Sequence, residues 1–136
     1  MRLVISPQAV AVVRLPAGSP PPSWASGDPL VSVTITSQET SVVCATSCLP
    51  DDLPGPVHGP LAAVHIEGTL EFSQVGVLVA LLRPLANGGI PVLTVSTFET
   101  DWILVPAPRI AAAASVWRGA GHGVTEGVPV TPQVKS

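Results

Sequence analysis

The sequence predicts an α+β fold, an antiparallel sheet with helices packed on one face. Three observations carry that prediction. The first is a change of apolar period: residues 61–67 (LAAVHIE) alternate as a strand does, and from Ser73 the spacing becomes helical. The second is a pair of strand-like runs, Ile90 to Ser96 and Asp101 to Pro106, joined by the four residues Thr97 to Thr100. The third is a second helical stretch that opens at Pro108 and stops at Gly119 and Gly121.

The elements follow in order. Val64 and Ile66 face one side of the first strand of this half. A helix over 73–87 places Val75, Leu78, Val79, Leu82 and Leu85 or Ala86 on one stripe. Asn87-Gly88-Gly89 ends it, and Pro84 should kink it or loosen its last turn. Residues 90–96 (IPVLTVS) read as a buried strand, and residues 101–106 (DWILVP) return beside it. A helix over 108–118 buries Ile110, Ala113, Ala114 and Trp117, and His122 to Val128 form a last strand. The order β-α-β-β-α-β is the split βαβ, or ferredoxin-like, arrangement. In that arrangement the strand with Ser96 and the strand from Leu61 are expected as central neighbours.

Proline sets the first half apart. Residues 1–60 hold ten prolines and residues 61–105 only Pro84 and Pro91. Short strands and turns are therefore expected before residue 60. Strand candidates are Ala9–Arg14, Leu30–Thr36 and Thr40–Ala45. Ala17 to Pro29 and Cys48 to Pro60 read as extended connections, with room for no more than one helical turn each. This half reads as a degenerate copy of the same unit with its helices shrunk. Two units are expected, 1–58 and 59–136. About 60 residues alone bury a marginal core, which favours a joined pair.

Composition excludes several classes. Six Lys+Arg against nine Asp+Glu give a net charge of −3, with no basic stripe for nucleic acid. The longest apolar run, Val75 to Leu82, is far short of the ~20 residues of a membrane span. Pro7, Gln8 and Arg14 break up any leader-like stretch. Cys44 and Cys48 make no disulfide framework, and a cytoplasmic domain with reduced thiols is the expectation. Their spacing, with His58 and His65, fits no zinc site. No Gly-x-Ser-x-Gly elbow and no phosphate-binding glycine loop is present. His65 within a strand reads as structural, and His122 after a glycine turn as exposed.

Two segments carry candidate chemistry. Glu67 to Gly76 (EGTLEFSQVG) leads into the first helix, whose unpaired N–H groups and dipole suit a carboxylate or phosphate. The plainer reading makes Ser73 a helix cap and Gly76 a packing residue. Residues 96–101 (STFETD) crowd two carboxylates and three hydroxyls into one hairpin turn. A carboxylate there would hold an ammonium group while the helix start holds a carboxylate, which together bind a free α-amino acid. The plainer reading is a polar turn in which Asp101 bonds its own backbone.

These residues resemble a known family. Residues 67–105 are similar to the ACT domain, and more closely to the small tandem-ACT proteins related to the CASTOR-type arginine sensors. The resembling words are Glu67-Gly68-x-Leu70-x-Phe72-Ser73-x-x-Gly76 and Ser96-Thr97-Phe98-x-Thr100-Asp101-x-Ile103-Leu104-Val105. The match extends more loosely to Gly121-His122 and back to residues 36–44. The resemblance implies tandem ferredoxin-like ACT subdomains, amino-acid sensing, no catalysis and no cofactor. It points to Phe72, Ser73, Gln74, Gly76, Thr97, Phe98 and Asp101 as ligand contacts, with Glu39-Thr40-Ser41 added from the other unit. The arginine sensors carry an acidic residue where this chain has Gln74, which argues against arginine. They also have four ACT units, and a homodimer of this chain would restore four.

The expected function is a non-catalytic amino-acid-binding sensor or regulatory module that acts on a protein partner. The alternative is an interaction protein of the same fold with no metabolite ligand.

Overall fold

The computed structural model describes residues 1–53, 55–68 and 76–127. In chain order the elements are β1 (Arg2–Pro16), β2 (Ser32–Ile35), β3 (Glu39–Ala45), β4 (Val57–Ile66), α1 (Val77–Asn87), β5 (Leu93–Ser96), β6 (Asp101–Pro106), α2 (Ile110–Gly119) and β7 (Gly123–Glu126). The strands form one sheet in the order β2-β3-β1-β4-β6-β5, and β7 pairs β1. The β1–β7 pair is parallel and the others are antiparallel.

Strand β1 ties the two halves together. Its first residues lie between β4 and β7, with Leu3 opposite both Ile66 and Val124. Its last residues lie between β4 and β3, with Val13 opposite both Val57 and Val42. The register against β4 shifts between Ile5 and Ala9 and again between Val10 and Val12. Pro7 lies inside the first shift, where the missing N–H costs no ladder bond. Such irregularities bend and twist a sheet. Strands β2 and β5, the two ends of that order, border one cavity of about 320 Å³, between Ser32 and Thr34 on β2 and Leu93 to Ser96 on β5.

Both helices cover one face. Leu81 and Leu85 of α1 and Ala113, Ala114 and Trp117 of α2 pack on Leu3, Val64, Ile66, Ile103 and Val105. The Trp117 indole N–H donates to the Leu81 carbonyl at 2.8 Å. The other residues of β4 and β6, Leu61, Ala63 and Leu104, pack with Val10 and Val43 on the opposite face.

Several expectations need correction. Strand β6 separates β4 from β5, so the strand with Ser96 and the strand with Leu61 are not neighbours. An antiparallel hairpin partner takes the central place, and β5 becomes an edge. It is four residues long and largely exposed, not buried, because only β6 pairs it. Strand β7 joins β1 instead of β4, because the segment starting at Arg2 fills the place between them. Strand β1 is therefore longer than Ala9–Arg14. Strand β4 starts at Val57, inside the stretch expected as a connection, since pairing with β1 supplies its partners.

The buried stripe of α1 is also rotated from the predicted one. Leu81 and Leu85 are buried with Val77 and Leu82 half-buried, while Val79 is 53% exposed. An uninterrupted apolar run permits more than one stripe, and the sheet beneath selects one. Pro84 lies within the helix, which ends normally as the Gly88 N–H reaches the Pro84 and Leu85 carbonyls at 3.1 Å. Residues 73–75 of the predicted helix lie outside the described residues.

Candidate functional site

The turn between β5 and β6 is built by its own hydroxyls. The Thr97 N–H donates to the Thr100 carbonyl at 2.8 Å, and the Thr97 hydroxyl donates to the same oxygen at 3.1 Å. The Ser96 hydroxyl donates to Asp101 Oδ1 at 2.6 Å, across the last pair of the β5–β6 ladder. Asp101 thus bonds a neighbouring side chain rather than its own backbone. Its second carboxylate oxygen adds acceptor capacity. Phe98 stands fully out from the turn, at 101% exposure.

Gly76 is the residue before the first turn of α1, with φ 81°. That left-handed conformation favours glycine over residues with a Cβ. Its carbonyl accepts from the Ala80 N–H at 3.0 Å. Gly76 therefore stands at the start of the described helix. Phe72, Ser73 and Gln74 lie outside the described residues.

Register sets the start of β6 beside the end of β4. His65 pairs with Trp102, so β4 leaves the sheet where β6 enters it. Strand β6 alternates, and Ile103 and Val105 face the helices. Asp101 shares their parity and so lies on the helix side. Gly76 also borders a groove of about 970 Å³ between the helices, with Val79, Arg83 and His122. The residues expected from the other unit are engaged elsewhere. Thr40 is buried and its hydroxyl donates to the Ser19 carbonyl at 2.7 Å, and Glu39 lies 3.6 Å from the Arg14 guanidinium.

One pair escaped the sequence reading. The rings of His65 and Trp102 lie 4.7 Å apart, inclined at 42°. His65 Nδ1 is buried without a hydrogen-bond partner among the described residues. Burial holds the imidazole below its ordinary pKa, and the Glu67 carboxylate opposes this. Only the β4–β6 register makes these two residues neighbours, so nothing in the linear sequence signalled the pair. His122, expected as exposed, is half-buried, with Nδ1 3.2 Å from the N-terminal amine. Among the described residues, no group of three or more His, Cys, Asp or Glu is placed to hold a metal, and no helix is long and apolar enough to cross a membrane.

Comparison with known proteins adds the family. The ACT domain model matches residues 57–116, and a model for an N-terminal domain matches residues 8–52. Protein Atu0741 from Agobacterium tumefaciens is 30% identical, with a TM-score of 0.85, over 93% of each chain. A Vibrio cholerae protein of unknown function, described as a possible transport protein, has a TM-score of 0.64 at 14% identity, over 87% of this chain and 89% of that one. The regulatory subunit of aspartate kinase from Thermus thermophilus, in its ligand-free form, has a TM-score of 0.59 at 13% identity, over 83% of this chain and 93% of that one. The last two share the fold alone. No curated protein matches. The matched segment runs from the first residue of β4 into α2 and takes in α1 and the β5–β6 hairpin, so residues 57–116 of this chain are an ACT domain.

Proposed function

We propose that this chain is a non-catalytic regulatory module that binds a free amino acid. Asp101 holds the ligand's ammonium group, and backbone N–H groups around Ser73 to Gly76 hold its carboxylate. Phe72, Gln74, Thr97 and Phe98 complete the contacts. The observation that supports this reading is that Asp101 lies on the helix side of β6, at the end of the sheet where β4 leaves it towards α1. A zwitterion needs an anion at one end and oriented donors at the other.

The chain comprises two ferredoxin-like subdomains, 1–58 and 59–136, related to the CASTOR-type sensors. Strands β1, β3 and β2 of the first half lie in the order of that unit, and β4, the first strand of the second half, fills the remaining place beside β1, which supports the reading. The module works in the cytoplasm as a homodimer and passes the signal to a protein partner.

A thermal-shift screen against the twenty amino acids tests the function. Ligand at about 100 times its dissociation constant adds ~2.7 kcal/mol. For a domain of this size that raises Tm by several degrees. Asp101→Ala should then weaken binding tenfold or more in calorimetry, since ~1.4 kcal/mol is tenfold. If it lowers Tm while affinity stays at the parent value, Asp101 is a turn residue and the site is wrong. A screen with no shift at all favours the interaction protein.

A further inference from the structure

A second cavity, of about 330 Å³, lies on the sheet face opposite the helices. Val4, Ser6, Gln8, Asp28, His65 and Trp102 are among the residues that border it. Five separate segments of the chain meet there: the stretch of β1 around its register shift, the connection before β2, the end of β4, the start of β6 and Gly127 after β7. None of these residues belongs to the amino-acid site proposed above.

We propose that this cavity binds a small organic cation, an alkylammonium or quaternary ammonium group, with Asp28 as counter-ion and the Trp102 and His65 rings as its wall.

The charge balance argues for a cation. Asp28 is the only carboxylate among the bordering residues, and no Lys or Arg borders the cavity among the described residues. Asp28 makes no ion pair among the described residues; the ion pairs are Arg2 with Glu67 and Arg14 with Glu39. An anion entering this cavity would meet a carboxylate with no compensating positive group. A cation would be neutralised by it.

The wall argues for the same class. Tryptophan has the most favourable ring face for a cation, and recognition of quaternary ammonium groups relies on such walls. His65 closes the wall beside Trp102 at 4.7 Å. Burial lowers the pKa of its imidazole, which favours the neutral ring that does not repel a cation. Val4 and the ring of Pro29 supply apolar surface for the alkyl body. The Ser6 hydroxyl is tied to Gln8 Oε1 at 3.3 Å, which positions polar groups at the rim. Two aromatic rings, one carboxylate and a little apolar surface suit an ammonium carrying a short alkyl group.

The test titrates the full chain with butylammonium and with tetramethylammonium, followed by NMR at the Trp102 indole resonance. Butanol and butyrate serve as the neutral and anionic counterparts. Saturable shifts are expected with the two cations only. Asp28→Asn, at an exposed position, should fold as the parent and weaken binding about threefold to tenfold. Asp51→Asn, an exposed acid in another connection, should leave binding unchanged. Trp102→Leu should weaken it several-fold, and Asp28→Asn decides the matter if that variant does not fold. Butanol binding as tightly as butylammonium, an Asp28→Asn affinity equal to the parent's, or no saturable shift with either cation at millimolar concentration each overturns the proposal.

Discussion

The indole N–H of Trp117 donates to the backbone carbonyl of Leu81 at 2.8 Å, deep in the seam between the two helices. Both residues are fully buried. One side chain of α2 thus locks onto the backbone of α1, above the sheet residues Leu3, Ile103 and Val105. Trp117→Phe keeps an aromatic ring but loses the bond and part of the volume. It should lower stability by about 1–3 kcal/mol in urea unfolding, with an unchanged m-value.

The pH dependence of stability should carry a contribution from His65. Burial holds its pKa below the ordinary value, so the unfolded chain takes up the proton first as pH falls. The contribution is complete above about pH 6.5 and is lost as pH falls through that value towards the folded pKa. His65→Phe keeps a ring beside Trp102 and removes both the titration and the unpaired Nδ1. Its unfolding free energy should vary less between about pH 6.5 and pH 5 than the parent's. Parallel curves for the two proteins would contradict this.

Two glycines should respond oppositely to alanine. A Cβ at Gly55 would collide with the Arg14 backbone carbonyl, which cannot swing aside as a side chain can. Gly55→Ala should destabilise by about 2 kcal/mol. Gly119 ends α2 with open space around its Cβ position and no left-handed backbone. Gly119→Ala should stabilise by about 0.5–1 kcal/mol, because alanine loses less entropy in a helix. Thermal unfolding of the two variants checks the signs.

The thiols should differ in reactivity. Burial pushes the Cys44 thiol up, a backbone hydrogen bond at Ser26 pulls it partly back, and the charge at Cys48 adds to the rise. Cys48 is half-buried. In the folded protein a thiolate-directed alkylating reagent should label Cys48 first, and Cys44 only on unfolding. Mass spectrometry of the labelled peptides reads the order.

Homodimerisation should run through a sheet edge. Strand β5 pairs only β6, and Leu93 on it is 44% exposed. An unpaired edge with an apolar side chain is a template for a second copy. Light scattering should give twice the monomer mass, and Leu93→Lys should return it to one. A monomer at every concentration counts against the dimer.

The sequence by itself determined the kinds and order of the elements from residue 61 onward. The change of apolar period at the first helix, the turn residues between β5 and β6, and Pro108 with the glycines that end α2 are local signals. They act through backbone preferences and face alternation, which need no partner. They also put Asp101 at a strand start, whereas they set the first helix from Ser73 with Gly76 inside its first turn, and Gly76 is instead the residue before that turn. The tertiary structure decided which strands are neighbours. Pairing is non-local, and any strand with free backbone groups can accept another. Nothing local marks Arg2 to Ser6 for the place between β4 and β7, or β6 for the place between β4 and β5. The same reason governs the α1 stripe, where Leu81 and Leu85 are buried and Val79 is not. A helix with apolar residues on several sides presents several possible faces, and only the sheet it lands on chooses one. His65 and Trp102 meet for that reason as well, through a register that exists only once β4 and β6 are paired.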